Sequence, residues 1–132
     1  MSEAAKIRVL VVDDHPIMRI GIAAILRATQ DMTAVAQAGS GEEAVRLFER
    51  HLPDVTVVDL RLPGMSGVEV IRTVMARYRD SKFVVMTTYE DDEDIQHALE
   101  AGARSCVMKG MPGETLVAAL RRAHREGMAV VQ

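Results

Sequence analysis

Three aspartates carry the chemistry legible in this 132-residue chain. Asp59 ends the β-branched run Val55-Thr56-Val57-Val58 and is followed at once by Leu60-Arg61-Leu62-Pro63-Gly64, which cannot continue a strand. A second apolar run, Ile7 to Val12, ends in the same way at Asp13-Asp14. Carboxylates at the C-terminal lip of buried strands lie where open α/β sheets place their ligand chemistry. If the two strands are neighbours, three like charges converge, and they repel unless a cation or a proton intervenes. A hard divalent ion such as Mg2+ is the natural partner, because it takes oxygen ligands and keeps waters and phosphate oxygens in its shell.

Those carboxylates need a sheet to hold them. Short apolar runs predict strands at Ile7 to Val12, Met32 to Ala38, Val55 to Val58, Lys82 to Thr87 and Ser105 to Met108. Between them, patterning predicts helices over Pro16 to Ala28, Gly41 to Arg50, Val68 to Tyr78, Asp92 to Ala101 and Pro112 to Glu126. Ser40 with Glu43, and Ser66 with Glu69, have the spacing of capping boxes, in which two orphan helix donors are satisfied reciprocally. Gly102 and Gly127 stand where C-terminal caps are wanted, and Pro16 at a first-turn position where its missing N–H is harmless. Apolar stripes at Ile17, Ile20, Ala24 and Ala28, and at Ile71, Val74, Met75 and Tyr78, are expected to face the sheet. The first, third and fourth strands are nearly continuous in apolar residues, as parallel strands covered on both faces are. Right-handed crossovers then give an α/β, (βα)5 doubly wound, flavodoxin-like sheet. Strand order 2-1-3-4-5 places the first and third strands side by side, so Asp13, Asp14 and Asp59 meet at the switch point.

The bulk composition suits one domain spanning 1–132, with 48% hydrophobic and 27% charged residues. Aromatics are scarce, two Tyr and two Phe without Trp, so the core must come from Val, Ile, Leu, Ala and the nine Met. A net charge of −3 gives no basic footprint, and this chain alone is expected to bind DNA poorly. The single Cys106 cannot form an internal disulfide and reads as a small, buried or half-buried apolar residue in a reducing, cytoplasmic compartment. The first six residues lack an apolar leader core, and the longest apolar run, Ile20 to Leu26, is far below spanning length, so no membrane partner is expected.

Taken together, V-V-D-D-H-P at 11–16, V-V-D-L-R-L-P-G-M-S-G at 57–67, V-V-M-T-T at 84–88 and V-M-K at 107–109 resemble the receiver domain of two-component response regulators (CheY-like) over essentially the whole chain. The D-D-H-P start and Y-E-D-D-E-D at 89–94 look most like receivers that precede a LuxR/NarL-type DNA-binding domain. The resemblance implies that Asp59 accepts a phosphoryl group from a sensor histidine kinase. Chemistry agrees, since a carboxylate can form an aspartyl phosphate and phosphoryl transfer asks chiefly for positioning and charge neutralisation. It further implies Mg2+ on Asp13, Asp14, Asp59 and the Arg61 main-chain carbonyl, Asp14 binding directly and Asp13 often through water. Thr87 matches the hydroxyl that binds the phosphoryl group, with the small-residue position filled by Thr88. Lys109 matches the ammonium that pairs with Asp59 and then with the phosphate. A homodimer on phosphorylation is a further implied partner, and DNA only through a C-terminal domain not contained in this chain. The implied output is a change of the face made by the fourth helix and fifth strand.

Each residue also has a plainer reading. Asp59 alone could cap the following turn, one of Asp13 and Asp14 could cap the first helix, Thr87 is a good strand residue, and Lys109 could be a solvated loop lysine. Only their combination in one order favours the site. His15 is not taken as a ligand, because carboxylate and water suit Mg2+ better than imidazole, and His51, His97 and His124 are given no metal role. Two departures from the family stand out: Cys106 occupies the position often held by a switching aromatic, and Gly110 rather than Pro follows Lys109, which predicts a trans bond there. The main rival is an aspartate-nucleophile phosphohydrolase. It needs a second aspartate two residues after the nucleophile, where Arg61 cannot act as an acid at neutral pH. A flavodoxin-like mononucleotide binder would want a phosphate loop where Asp13-Asp14 repels phosphate. The phosphoryl acceptor is therefore not expected to be an enzyme on a foreign substrate, although a stand-alone receiver acting by protein contact stays open.

Overall fold

The computed structural model describes residues 6–88 and 93–126. Five parallel strands, β1 (Ile7–Val12), β2 (Met32–Ala38), β3 (Val55–Asp59), β4 (Phe83–Thr87) and β5 (Ser105–Met108), lie in the order β2-β1-β3-β4-β5. They alternate with α1 (Pro16–Arg27), α2 (Gly41–His51), α3 (Gly67–Arg77), α4 (Glu93–Ala101) and α5 (Gly113–Glu126). The expected fold class and strand order are thus found, with boundaries moved by a residue at several ends. Asp59 is itself the last residue of β3, and Asp92 and Gly127 lie outside the described residues.

Alternation along the strands divides the core in two. Val9, Val11, Val57, Val84 and Met86 face α1 and α5, packing on Ile22, Leu26, Leu116 and Leu120. Leu10, Val12, Val58, Phe83 and Val85 face α2, α3 and α4, packing on Phe48, Ile71, Val74 and Ala98. The three inner strands are buried almost throughout, whereas the edge strands β2 and β5 are only partly covered. That difference explains why only the inner strands read as unbroken apolar runs.

The stripe expected on α1 is wrong. Ile17 and Ile20 are 84% and 63% exposed, and Ala24 and Ala28 are exposed as well. The buried face is Ile22, Ala23 and Leu26, with Met18 and Ile25 packed beside it. This helix is apolar on two faces, so a 3.6-residue period does not choose between them. The stripe on α3 was unambiguous, and Ile71 and Val74 are buried.

Only one of the two capping boxes is complete. Ser66 accepts from the Glu69 N–H while Glu69 Oε1 accepts from the Ser66 N–H. At α2, Ser40 accepts from the Glu43 N–H, but the Glu43 carboxylate reaches one residue further back, to the Gly39 N–H at 2.8 Å. Gly102 has φ +124°, and a Cβ there would sit 2.8 Å from Met75 Cε, so glycine is required at that end of α4.

Candidate phospho-acceptor site

The sheet ladder continues past the strand ends and carries the site residues with it. Asp13 N–H donates to Ala38 O (3.0 Å), Leu60 N–H to Met86 O (3.1 Å) and Lys109 N–H to Thr87 O (2.8 Å). Asp13, Asp59 and Thr87 are therefore held by main-chain bonds at one lip, and all three are buried. Behind Asp59 the chain folds back sharply, with Gly67 N–H on Leu60 O at 3.1 Å. A Cβ on Gly67 would stand 2.5 Å from Asp59 O, so this return path exists only for glycine.

The structure brings Asp13, Asp59 and Lys109 into direct contact. Lys109 Nζ donates to Asp59 Oδ2 at 2.8 Å and lies 3.0 Å from Asp13 Oδ2. Burial works against the ammonium, but the bond to Asp59 and the pairing with Asp13 outweigh it, so its pKa stands above the ordinary lysine value. The other Asp59 oxygen, Oδ1, accepts from the Arg61 N–H at 3.0 Å. Asp13 Oδ1 is claimed by His15, through its main-chain N–H and through Nδ1, each at 2.8 Å. A carboxylate accepts only, so the Nδ1 facing it carries the proton and has no lone pair for a metal.

Two enclosed oxygens have ion-pair neighbours but no hydrogen-bond donor placed on them: Asp13 Oδ2, 3.0 Å from Lys109 Nζ, and Asp14 Oδ1, 3.2 Å from His15 Nδ1. Ligand atoms of Asp13, Asp14, His15 and Asp59 lie within 4.8 Å of one another. With three carboxylates facing one ammonium, the lip keeps an excess of negative charge. Orphaned carboxylate oxygens of this kind are what a hard divalent cation satisfies, so the donor set fits Mg2+.

Several neighbours were not legible in the sequence. Arg19 Nη1 donates to the Asp13 main-chain carbonyl at 2.7 Å, tying α1 to the acidic turn. Its only signal is a basic residue six positions beyond the aspartate. The Arg61 guanidinium lies 3.3 Å from Asp94 Oδ2, in the first turn of α4. Cys106 is half-buried against the α2–α4 side of the core, as expected of a small apolar residue. No cis peptide bond occurs among the described residues, so the Lys109–Gly110 bond is trans. Tyr89 lies outside the described residues.

Residues 9–121 match the response regulator receiver domain family, and the chain belongs to it. It is 37% identical over 119 residues to the transcriptional regulatory protein LiaR of Bacillus subtilis, covering 90% of this chain and 56% of that protein. It is 33% identical over 123 residues to the nitrate/nitrite response regulator NarL of Escherichia coli, covering 93% and 57%. A LuxR-family two-component response regulator from Aurantimonas superposes with a TM-score of 0.86 at 32% identity, covering 91% of this chain and 86% of that one. The chain is thus a receiver of the NarL/LuxR type, and it spans about half the length of the curated relatives it matches. No helix among the described residues is long and apolar enough to cross a membrane.

Proposed function

We propose that Asp59 accepts a phosphoryl group from the phosphohistidine of a sensor kinase, and that the 1–132 receiver unit signals by the resulting change of charge and shape. The observation that carries this reading is the Asp59 carboxylate itself. It is buried at a strand end, and its two oxygens are held by Lys109 Nζ and the Arg61 N–H at 2.8 and 3.0 Å. Fixed this way, one carboxylate oxygen attacks phosphorus, the P–N bond to the donor breaks, and its electron pair leaves on the imidazole. Lys109 then passes from the carboxylate to a phosphoryl oxygen, keeping the new charge compensated. Thr87, buried at the neighbouring strand end, is the hydroxyl within the same lip. Asp13, Asp14, Asp59 and the Arg61 carbonyl would hold Mg2+, which when bound would supply neutralisation of the phosphoryl oxygens.

Arg61 stands where a phosphohydrolase would need a proton-donating carboxyl, which supports acceptance over turnover of a foreign substrate. On this reading the receiver serves a cytoplasmic regulator whose DNA contacts belong to a separate C-terminal domain, with a phosphorylation-dependent homodimer as its active form; that LiaR is named a transcriptional regulatory protein supports an output on DNA. The test is incubation with Mg2+ and a small phosphodonor, followed by intact mass. One base-labile phosphoryl group is expected on the wild type and none on Asp59→Asn. Stoichiometric labelling of that variant would overturn the assignment.

A further inference from the structure

Arg61 touches two parts of the molecule, the acceptor Asp59 and the first turn of α4. Its main-chain N–H is bound to Asp59 Oδ1 at 3.0 Å, which fixes its Cα beside the acceptor. Its guanidinium lies 3.3 Å from Asp94 Oδ2, and Asp94 Oδ1 is 3.2 Å from His97 Nδ1 one turn along α4. The Arg61 side chain is 60% exposed, so it has room to swing.

The helix it holds is weakly anchored. Among the nine residues of α4 only Ala98 is buried, against five in α3 and five in α5. Segments with few buried apolar contacts open at low free-energy cost. Asp94 already suits the first turn through the helix dipole and needs no arginine for that. What the Arg61 contact adds is a tie between the start of α4 and the loop that carries the acceptor.

We propose that Arg61 is a charge-competition latch between Asp94 and the phosphoryl group. The inference rests on Asp59 being the acceptor. Before modification the guanidinium pairs with the single charge of Asp94. Phosphorylation replaces the single charge of the Asp59 carboxylate by about −1.5 to −2 charge on three strong acceptor oxygens beside the Arg61 main chain. A guanidinium prefers such a group, which it can grip with two parallel N–H bonds. Arg61 therefore transfers from Asp94 to the phosphoryl oxygens, and the first turn of α4 is released.

Hydrogen exchange of the α4 amides, with intact mass to record phosphoryl loading, tests the latch. Phosphorylation of the wild type is expected to raise exchange in the first turn of α4 by about two- to fivefold, the factor one exposed ion pair is worth. Arg61→Ala and Asp94→Asn are expected to show that raised exchange without the phosphoryl group and little further change with it. Arg61→Lys, which keeps the charge, is expected to restore much of the protection. If Arg61→Ala loads the phosphoryl group and α4 responds as in the wild type, the latch is overturned while the acceptor assignment stands. If the wild type takes no phosphoryl group, the acceptor assignment fails first and the latch falls with it.

Discussion

Lys109 Nζ lies 2.8 Å from Asp59 Oδ2, across fifty residues of chain, and the same ammonium stands 3.0 Å from Asp13 Oδ2. One cation thus holds two buried carboxylates together before any metal or phosphoryl group arrives. The contact joins the ends of β3 and β5, which are not neighbours in the sheet, by reaching across the end of β4.

Removing that cation leaves two buried carboxylates without their counter-ion. Lys109→Met is expected to lose about 3 kcal/mol at neutral pH, the low end for breaking a buried pair, because the lip opens to solvent. Because the folded-state pKa of Lys109 is raised, its contribution is fully present below the unfolded value of about 10.4 and is lost as pH rises through the folded value. Denaturant titrations should therefore show the gap between wild type and Lys109→Met closing only on the alkaline side of that value. A constant gap would mean that the ammonium is not what stabilises the lip.

The metal should depend on Asp14 and not on the imidazole next to it. Asp14→Asn is expected to weaken Mg2+ binding by at least about tenfold, or about 1.4 kcal/mol, and to slow phosphorylation with it. His15→Ala removes a group whose Nδ1–H is already committed to Asp13 Oδ1, so its effect on Mg2+ should be much smaller. Calorimetric titration of both variants decides this, and the reverse order of effects would place the imidazole in the metal shell.

Gly67 shapes the acceptor from behind. In Gly67→Ala the new methyl meets Asp59 O and Leu60 Cα at 2.5 and 2.9 Å, both of them backbone atoms that cannot swing aside. A loss of about 2–3 kcal/mol is expected from the forced overlap, together with slower phosphorylation because the Asp59 main chain must shift. Thermal melts and phosphorylation rates measured on the same preparation check both parts. A variant of normal stability and normal rate would show that the loop has slack.

The resemblance to receivers implies that the lifetime of the phosphoryl group depends on the side chains two positions after the acceptor and two after the threonine, here Arg61 and Tyr89. Both are large enough to crowd an attacking in-line water. Trimming both to Ala should speed decay severalfold without abolishing acceptance, followed as loss of phosphorylated protein in Mg2+ after the donor is removed. Unchanged or slower decay would mean that these side chains point away from the water path.

The sequence alone determined the strands, the order of elements and the residues at the strand ends. Two short-range signals did this: continuous apolar runs that only doubly covered parallel strands need, and acidic or basic residues placed where those runs stop. Ser66 and Glu69 were legible for the same reason, since a capping box is a contact over three residues. Only the tertiary structure decided which face of α1 is buried, because Ile17-Ile20 and Ile22-Leu26 are equally apolar and the helix's seat on the sheet chooses between them. It also decided the partners of the charged side chains. Arg61 could have turned toward the acceptor and instead grips Asp94, Arg19 reaches the Asp13 carbonyl, and Glu43 passes Ser40 for Gly39. Long side chains choose partners by distance in space and by the charge around them, and neither is set until the sheet has brought distant loops to one lip.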